Sequence, residues 1–160
     1  IWSHSGIEQD TDTNNVVRFV KNGAIVPQRF GSTSTMTLTS TGPNGEVHAT
    51  ANLTPAYDSS SGVQSWQRSI DFLNRQLTVH DTFSTASGTQ AIFQVNVPTQ
   101  PTVSGQIITT SKLKITVVSP ANATFNIVNW HTVNSGEYDS SYRVDISGSG
   151  NEFVVKLAQP

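Results

Sequence analysis

The side chains able to move a proton or hold a ligand are few and widely spaced. The chain carries four histidines, at positions 4, 48, 80 and 131, and no cysteine. No two of the histidines stand at a metal-ligand spacing, and the lack of cysteine excludes thiolate sites and disulfides. No metal ligand is therefore assigned. His4 lies among Glu8, Asp10 and Asp12, an acidic stretch whose spacing fits no calcium loop. It reads as a solvated loop, with His4 the one candidate acid or base if that loop borders a cleft. A second polar set is Asn14, Asn15, Gln28 and Arg29. Amides both donate to and accept from hydroxyl groups, and a guanidinium grips a carboxylate through two parallel bonds. These four are the candidate substrate-binding residues. The plainer alternative is that Asn15 ties down a sheet edge and Gln28-Arg29 is a polar turn. Tyr57 reads as a core aromatic with a tethered hydroxyl, and Arg68 as a cross-strand partner of Asp71 or Asp81. No Gly-x-Ser-x-Gly elbow and no phosphate-cradling loop occurs, so serine-hydrolase and nucleotide chemistry lack their usual signatures.

The elements that must position these residues are strands. Apolar residues alternate with polar ones at Phe93, Val95 and Val97, at Leu113, Ile115 and Val117, and at Phe153, Val155 and Leu157, the period of a half-buried strand. Further strands are expected over 16–20, 34–40, 46–52, 66–72, 76–82, 107–109, 124–129 and 142–147. Turn-forming clusters separate them: Lys21-Asn22-Gly23, Asn44-Gly45, Leu73-Asn74-Arg75, Ser87-Gly88 and Gly148-Ser149-Gly150. Asn-Gly supplies the positive φ angles of a tight hairpin. No window holds a helical period. Roughly ten to twelve short strands with short connections imply an all-β fold, an antiparallel two-sheet β-sandwich. The chain of 160 residues fits one domain over 1–160, with 1–13 an exposed loop leading into it.

Only 12% of the residues are charged, about half the usual share, and Ser, Thr, Asn, Gln and Gly supply the polar surface. The formal net charge of -2 and the lack of a basic stripe exclude a nucleic-acid partner. No apolar run approaches the roughly 18 residues of a membrane helix, so no membrane partner is expected. The composition, with the sequons Asn52-Leu53-Thr54 and Asn122-Ala123-Thr124, points to a secreted or periplasmic protein.

Three segments in order resemble a known family. They are Asn14-Asn15-Val16-Val17-Arg18-Phe19 followed by Gly23 and Gln28; Ala49 to Tyr57 leading into Trp66-Gln67-Arg68-Ser69-Ile70; and Gln76-Leu77-Thr78-Val79-His80-Asp81. The stretch from Tyr142-Arg143-Val144 to Leu157 completes the pattern. Together they resemble the C-terminal β-sandwich of the heparinase II/III-like polysaccharide lyases over nearly the whole chain. The resemblance implies β-elimination on a uronic acid within an acidic polysaccharide, where a base removes the proton beside the carboxylate and an acid protonates the leaving oxygen. In the family these groups sit largely on an N-terminal α/α toroid, which this chain lacks. The resemblance thus makes the chain one wall of a cleft, inactive alone, with the toroid as its partner. Some relatives bind a divalent metal through a His that Asn14 replaces here, so no cofactor is expected. An alternative from another class is a stand-alone carbohydrate-binding or adhesion sandwich, with Trp2, Trp66 and Trp130 as stacking platforms.

Overall fold

The computed structural model describes residues 11–42, 45–136, 138 and 141–160. The Asn44 turn position and His4, Glu8, Asp10 and Trp2 lie outside the described residues. The described residues form thirteen strands: β1 (Val17–Lys21), β2 (Ala24–Ile25), β3 (Thr35–Thr41), β4 (Val47–Asn52), β5 (Val63–Leu73), β6 (Gln76–Thr85), β7 (Thr89–Val97), β8 (Thr102–Ser104), β9 (Ile107–Thr109), β10 (Lys114–Ser119), β11 (Thr124–Asn129), β12 (Tyr142–Ser147) and β13 (Glu152–Ala158). They form a five-stranded sheet, β11-β12-β7-β1-β2, and an eight-stranded sheet, β3-β4-β5-β6-β13-β10-β9-β8. Every pairing is antiparallel. The fold is the expected all-β sandwich. The two strands that alternation misses, β2 and β8, have two and three residues, too short to carry a period.

The alternating apolar residues do meet between the sheets. Val17 and Phe19 from β1, Phe93, Val95 and Val97 from β7, and Val144 and Ile146 from β12 face Trp66, Val79, Phe83, Ile115, Phe153 and Val155 of the larger sheet. Phe19 is the hub of an aromatic cluster. Its ring meets Tyr57, Trp66 and Phe83 edge-on at 5.3, 5.7 and 6.0 Å, the geometry that the ring quadrupoles favour. The expected turns at Asn22-Gly23 and Asn74-Arg75 both take positive φ at both central residues, joining β1 to β2 and β5 to β6 in the hairpin form whose twist matches that of the strands.

The two sheets differ in width. Beyond the two-residue β2 the larger sheet continues through β4 to β3, and among the described residues no strand of the smaller sheet lies over its inner face there. Met36 and Leu38 share the inward register of core residues on β5 and β6, yet they are 72% and 56% exposed.

Candidate functional site

Residues 11–16, leading into β1, do not hang free. Thr11–Thr13 forms one 3-10 turn, and the segment from Thr11 to Val16 lies across the outer face of the five-stranded sheet. Gln94 of β7, wholly buried, donates from Nε2 to the carbonyls of Thr11 and Asn14, both at 2.6 Å. Its own backbone N–H donates to the Val16 carbonyl. Asn15 Oδ1 accepts from the backbone N–H of Asn96 at 2.7 Å. Thr11 to Thr13 are consequently half-buried, which corrects the expectation of an exposed loop for that part of the segment.

Beneath this strap, beside Gln94, lies a charged network on β1 and β12. Arg143 donates to both oxygens of Asp145, from Nε at 2.7 Å and Nη2 at 3.1 Å. Arg18 Nη2 reaches the same carboxylate at 2.9 Å. The remaining arm of Arg143, Nη1, donates to Asp12 Oδ2 at 3.0 Å, and its guanidinium lies 5.0 Å from the Trp130 ring. Two cations and two carboxylates thus balance in a site where an unpaired charge would cost several kcal/mol. Arg18 Nε and Gln94 Oε1 are buried without a partner. These positions alternate with Val17, Phe19, Val95 and Val144, so periodicity alone assigns them to solvent. The strap and the Trp130 ring, from other segments of the chain, lie against them.

Between the strap and the stretch following β1 opens a cleft of about 580 Å³, lined by Thr11, Asp12, Asn14, Val16, Ile25, Pro27 and Gln28. The β1–β2 hairpin creates it by bringing 25–28 back alongside 11–16. Of the four candidate binding residues, Asn14 and Gln28 come together on its walls. Asn15 instead holds Asn96, and Arg29 pairs with Asp58 at 3.2 Å in the open, with its side chain 52% exposed. Thr11, Asp12, Val16, Ile25 and Pro27 are wall residues that sequence reasoning did not single out. No motif marks them, since backbone closure alone brings them together. From the cleft wall Gln28 Nε2 donates to Tyr57 Oη at 3.5 Å. Burial pushes the Tyr57 phenol above its ordinary value, with the Gln28 hydrogen bond and the Arg68 charge pulling the other way. Tyr57 is therefore a neutral hydroxyl in the core, as its sequence context implies.

The described histidines are elsewhere. His48 bonds Asp71, its cross-strand neighbour, and His80 Nε2 meets Glu152 Oε2 at 3.0 Å; both lie on the solvent side of the larger sheet. Hydrogen bonds from Ser119 and from His80 hold the Glu152 carboxyl below its usual range. His131 Nδ1 donates to the Tyr138 carbonyl at 2.8 Å, in the loop opened by the single helical turn α1 (Trp130–Val133). Trp66 and Trp130 are 2% and 6% exposed, with their indole N–H groups bound to Asp81 and Asn96. Neither offers a face to a sugar, which removes two of the three platforms that the stand-alone binding module requires. Among the described residues no three His, Asp or Glu side chains gather around a common point that could hold a metal ion.

The sequence matches no known family profile and no curated protein. A solved structure is similar: a heparinase III with methylated lysines, at a TM-score of 0.62 and 11% sequence identity. The similarity covers 100% of this chain and 26% of that protein. The chain thus spans about a quarter of the length of the heparinase III it matches, and what the two share is the two-sheet sandwich fold.

Proposed function

We propose that this chain is the β-sandwich of a larger polysaccharide lyase that cleaves uronic-acid-containing glycans by β-elimination, and that it forms one wall of the cleft. The observation that carries this reading is the similarity of the whole chain to a limited part of a heparinase III. The order of the Asn14–Gln28, Ala49–Ile70 and Gln76–Asp81 segments agrees with it. In this reading Asn14 and Gln28 hydrogen-bond sugar hydroxyls from opposite sides of the cleft, and Arg29, on the rim, meets a uronate carboxylate when Asp58 yields it. Asn15 keeps the wall in place. The groups that abstract and return the proton come from an N-terminal α/α toroid that packs on this sandwich. His4, in the segment leading to the strap, is this chain's own candidate acid or base. The parent protein acts in a secreted or periplasmic setting, where such glycans are met.

The test is absorbance of the unsaturated uronate product on a panel of acidic polysaccharides, with the 160-residue chain and the full-length parent side by side. Activity in the parent alone is the expected result. No activity in either, across sulfated and unsulfated uronans, would overturn the lyase reading.

A further inference from the structure

A sheet edge is a row of unpaired backbone donors and acceptors, and proteins normally shorten, charge or cover it. Three of the four edges of this sandwich are modest. β2 has two residues and is followed by Pro27, and β8 has three and is preceded by Pro98 and Pro101. β11 has six residues, with Ile127 its only strongly exposed apolar side chain. β3 is different. It is seven residues long, Thr-Met-Thr-Leu-Thr-Ser-Thr, with no charge and no proline, and no strand pairs with its outer side among the described residues. Its one protective feature is an irregularity between Leu38 and Ser40, which leaves the run from Thr35 to Leu38 regular. On that run Met36 and Leu38 are exposed, and Phe30, a few residues upstream, is fully so.

We propose that β3 is an interaction surface whose partner is β3 of a second copy of this chain, paired antiparallel about a twofold axis. The free backbone groups require a strand as the occupant. The side chains favour a copy: with Met36 opposite Met36, or Met36 opposite Leu38, the apolar side chains of the regular run from Thr35 to Leu38 fall on the inner face and Thr35 and Thr37 on the outer one, because side chains alternate with period two. No charge on the strand repels its own copy, and none selects a foreign strand. The pairing joins two eight-stranded sheets into one, and the overhanging inner faces, on which Met36 and Leu38 are exposed, shield each other. Such a twofold contact is closed, so it stops at the dimer and does not grow into a filament.

Sedimentation of the 160-residue chain tests this. The expected result is a concentration-dependent species of twice the 17.2 kDa chain mass. The double variants Met36→Lys/Leu38→Lys and Met36→Glu/Leu38→Glu should each sediment as monomers, and their mixture should recover the dimer through opposite charges across the axis. Both side chains are exposed, so unchanged circular dichroism is expected of each variant. A wild-type chain that stays monomeric up to about 1 mM would overturn the proposal and leave the edge to a strand of another protein. A dimer unaffected by either double variant would overturn it as well, by placing the contact elsewhere.

Discussion

Arg68 holds the carboxylate of Asp81 through two parallel bonds inside the sandwich, Nε to Oδ1 at 2.8 Å and Nη2 to Oδ2 at 2.9 Å. The two residues sit directly opposite each other on β5 and β6. Asp81 is fully buried between Val79 and Phe83, and Trp66 Nε1 also donates to its Oδ1, at 2.6 Å. The Arg68 guanidinium lies 5.5 Å from the Trp66 ring and 5.8 Å from the Phe93 ring, and its Nη1 reaches the Asn15 carbonyl at 3.3 Å. One ion pair therefore joins the core of the larger sheet to the chain entering β1, where the cleft begins.

Breaking that pair from one side leaves a guanidinium among aromatic rings with no counter-charge. Asp81→Asn should lower stability by about 3 kcal/mol, the low end for a buried pair because Arg68 keeps some contact with water. Urea unfolding measures it. The double change Arg68→Met with Asp81→Leu should recover part of the loss, since apolar residues of similar volume carry no charge to desolvate, while the buried Trp66 indole N–H loses its acceptor. A single-variant loss below about 1 kcal/mol would mean that solvent already screens the pair.

Arg75 has φ at +62° and follows Asn74 at +52°. A side chain in that region costs about 1 kcal/mol that glycine does not. Arg75→Gly should therefore raise stability by about 0.5–1 kcal/mol. The exposed contact from Arg75 Nη2 to Gln159 is lost in exchange and contributes little. The melting midpoint reads the difference, and a fall in that midpoint would contradict the turn geometry.

The buried phenol of Tyr57 gives the fold an alkaline limit. Its folded-state value is raised, so its contribution is fully present below the unfolded value near 10. As pH rises past that point the unfolded chain loses the proton first, and stability falls until the folded phenol also ionises. Tyr57→Phe should remove this part of the alkaline decline. Unfolding free energies of wild type and variant between pH 8 and pH 11, on a scale set by the reference phenol, should converge as pH rises. Parallel curves would show that the phenol ionises equally in both states.

In the full-length protein, Asn14→Ala and Gln28→Ala should each raise KM about tenfold with kcat little changed, the effect of one hydrogen bond made equally to ground and transition state. Asn15→Ala should leave KM alone and lower stability by about 1 kcal/mol, because its oxygen serves the backbone of Asn96. The reverse pattern, with Asn15 affecting KM and Asn14 silent, would move the glycan to the other side of the strap.

Gln94→Met keeps volume and removes both bonds to the carbonyls of Thr11 and Asn14. Hydrogen exchange over residues 11–16 should quicken by roughly tenfold while the core strands keep their protection. Unchanged exchange would mean that Arg143 and Asp12 hold the strap without it.

Eleven of the thirteen strands, the two hairpin turns at Asn22-Gly23 and Asn74-Arg75, and the inward set built on Val17, Phe19, Phe93, Val95 and Phe153 follow from the sequence by itself. Each rests on an interaction local to a strand or turn: alternation of side chains with period two, and the tolerance of Asn and Gly for positive φ. The burial of Arg18, Gln94, Arg143 and Asp145 is decided by tertiary structure alone. Their alternation marks them as outward-facing, and they are; the strap from 11–16 and the ring of Trp130 then cover them, across separations that no local pattern encodes. The same holds for the cleft, where Asn14 joins Gln28 while Asn15, its neighbour in sequence, turns to Asn96. Adjacent residues on an extended chain point to opposite sides, and which side meets solvent depends on what the rest of the chain lays against them.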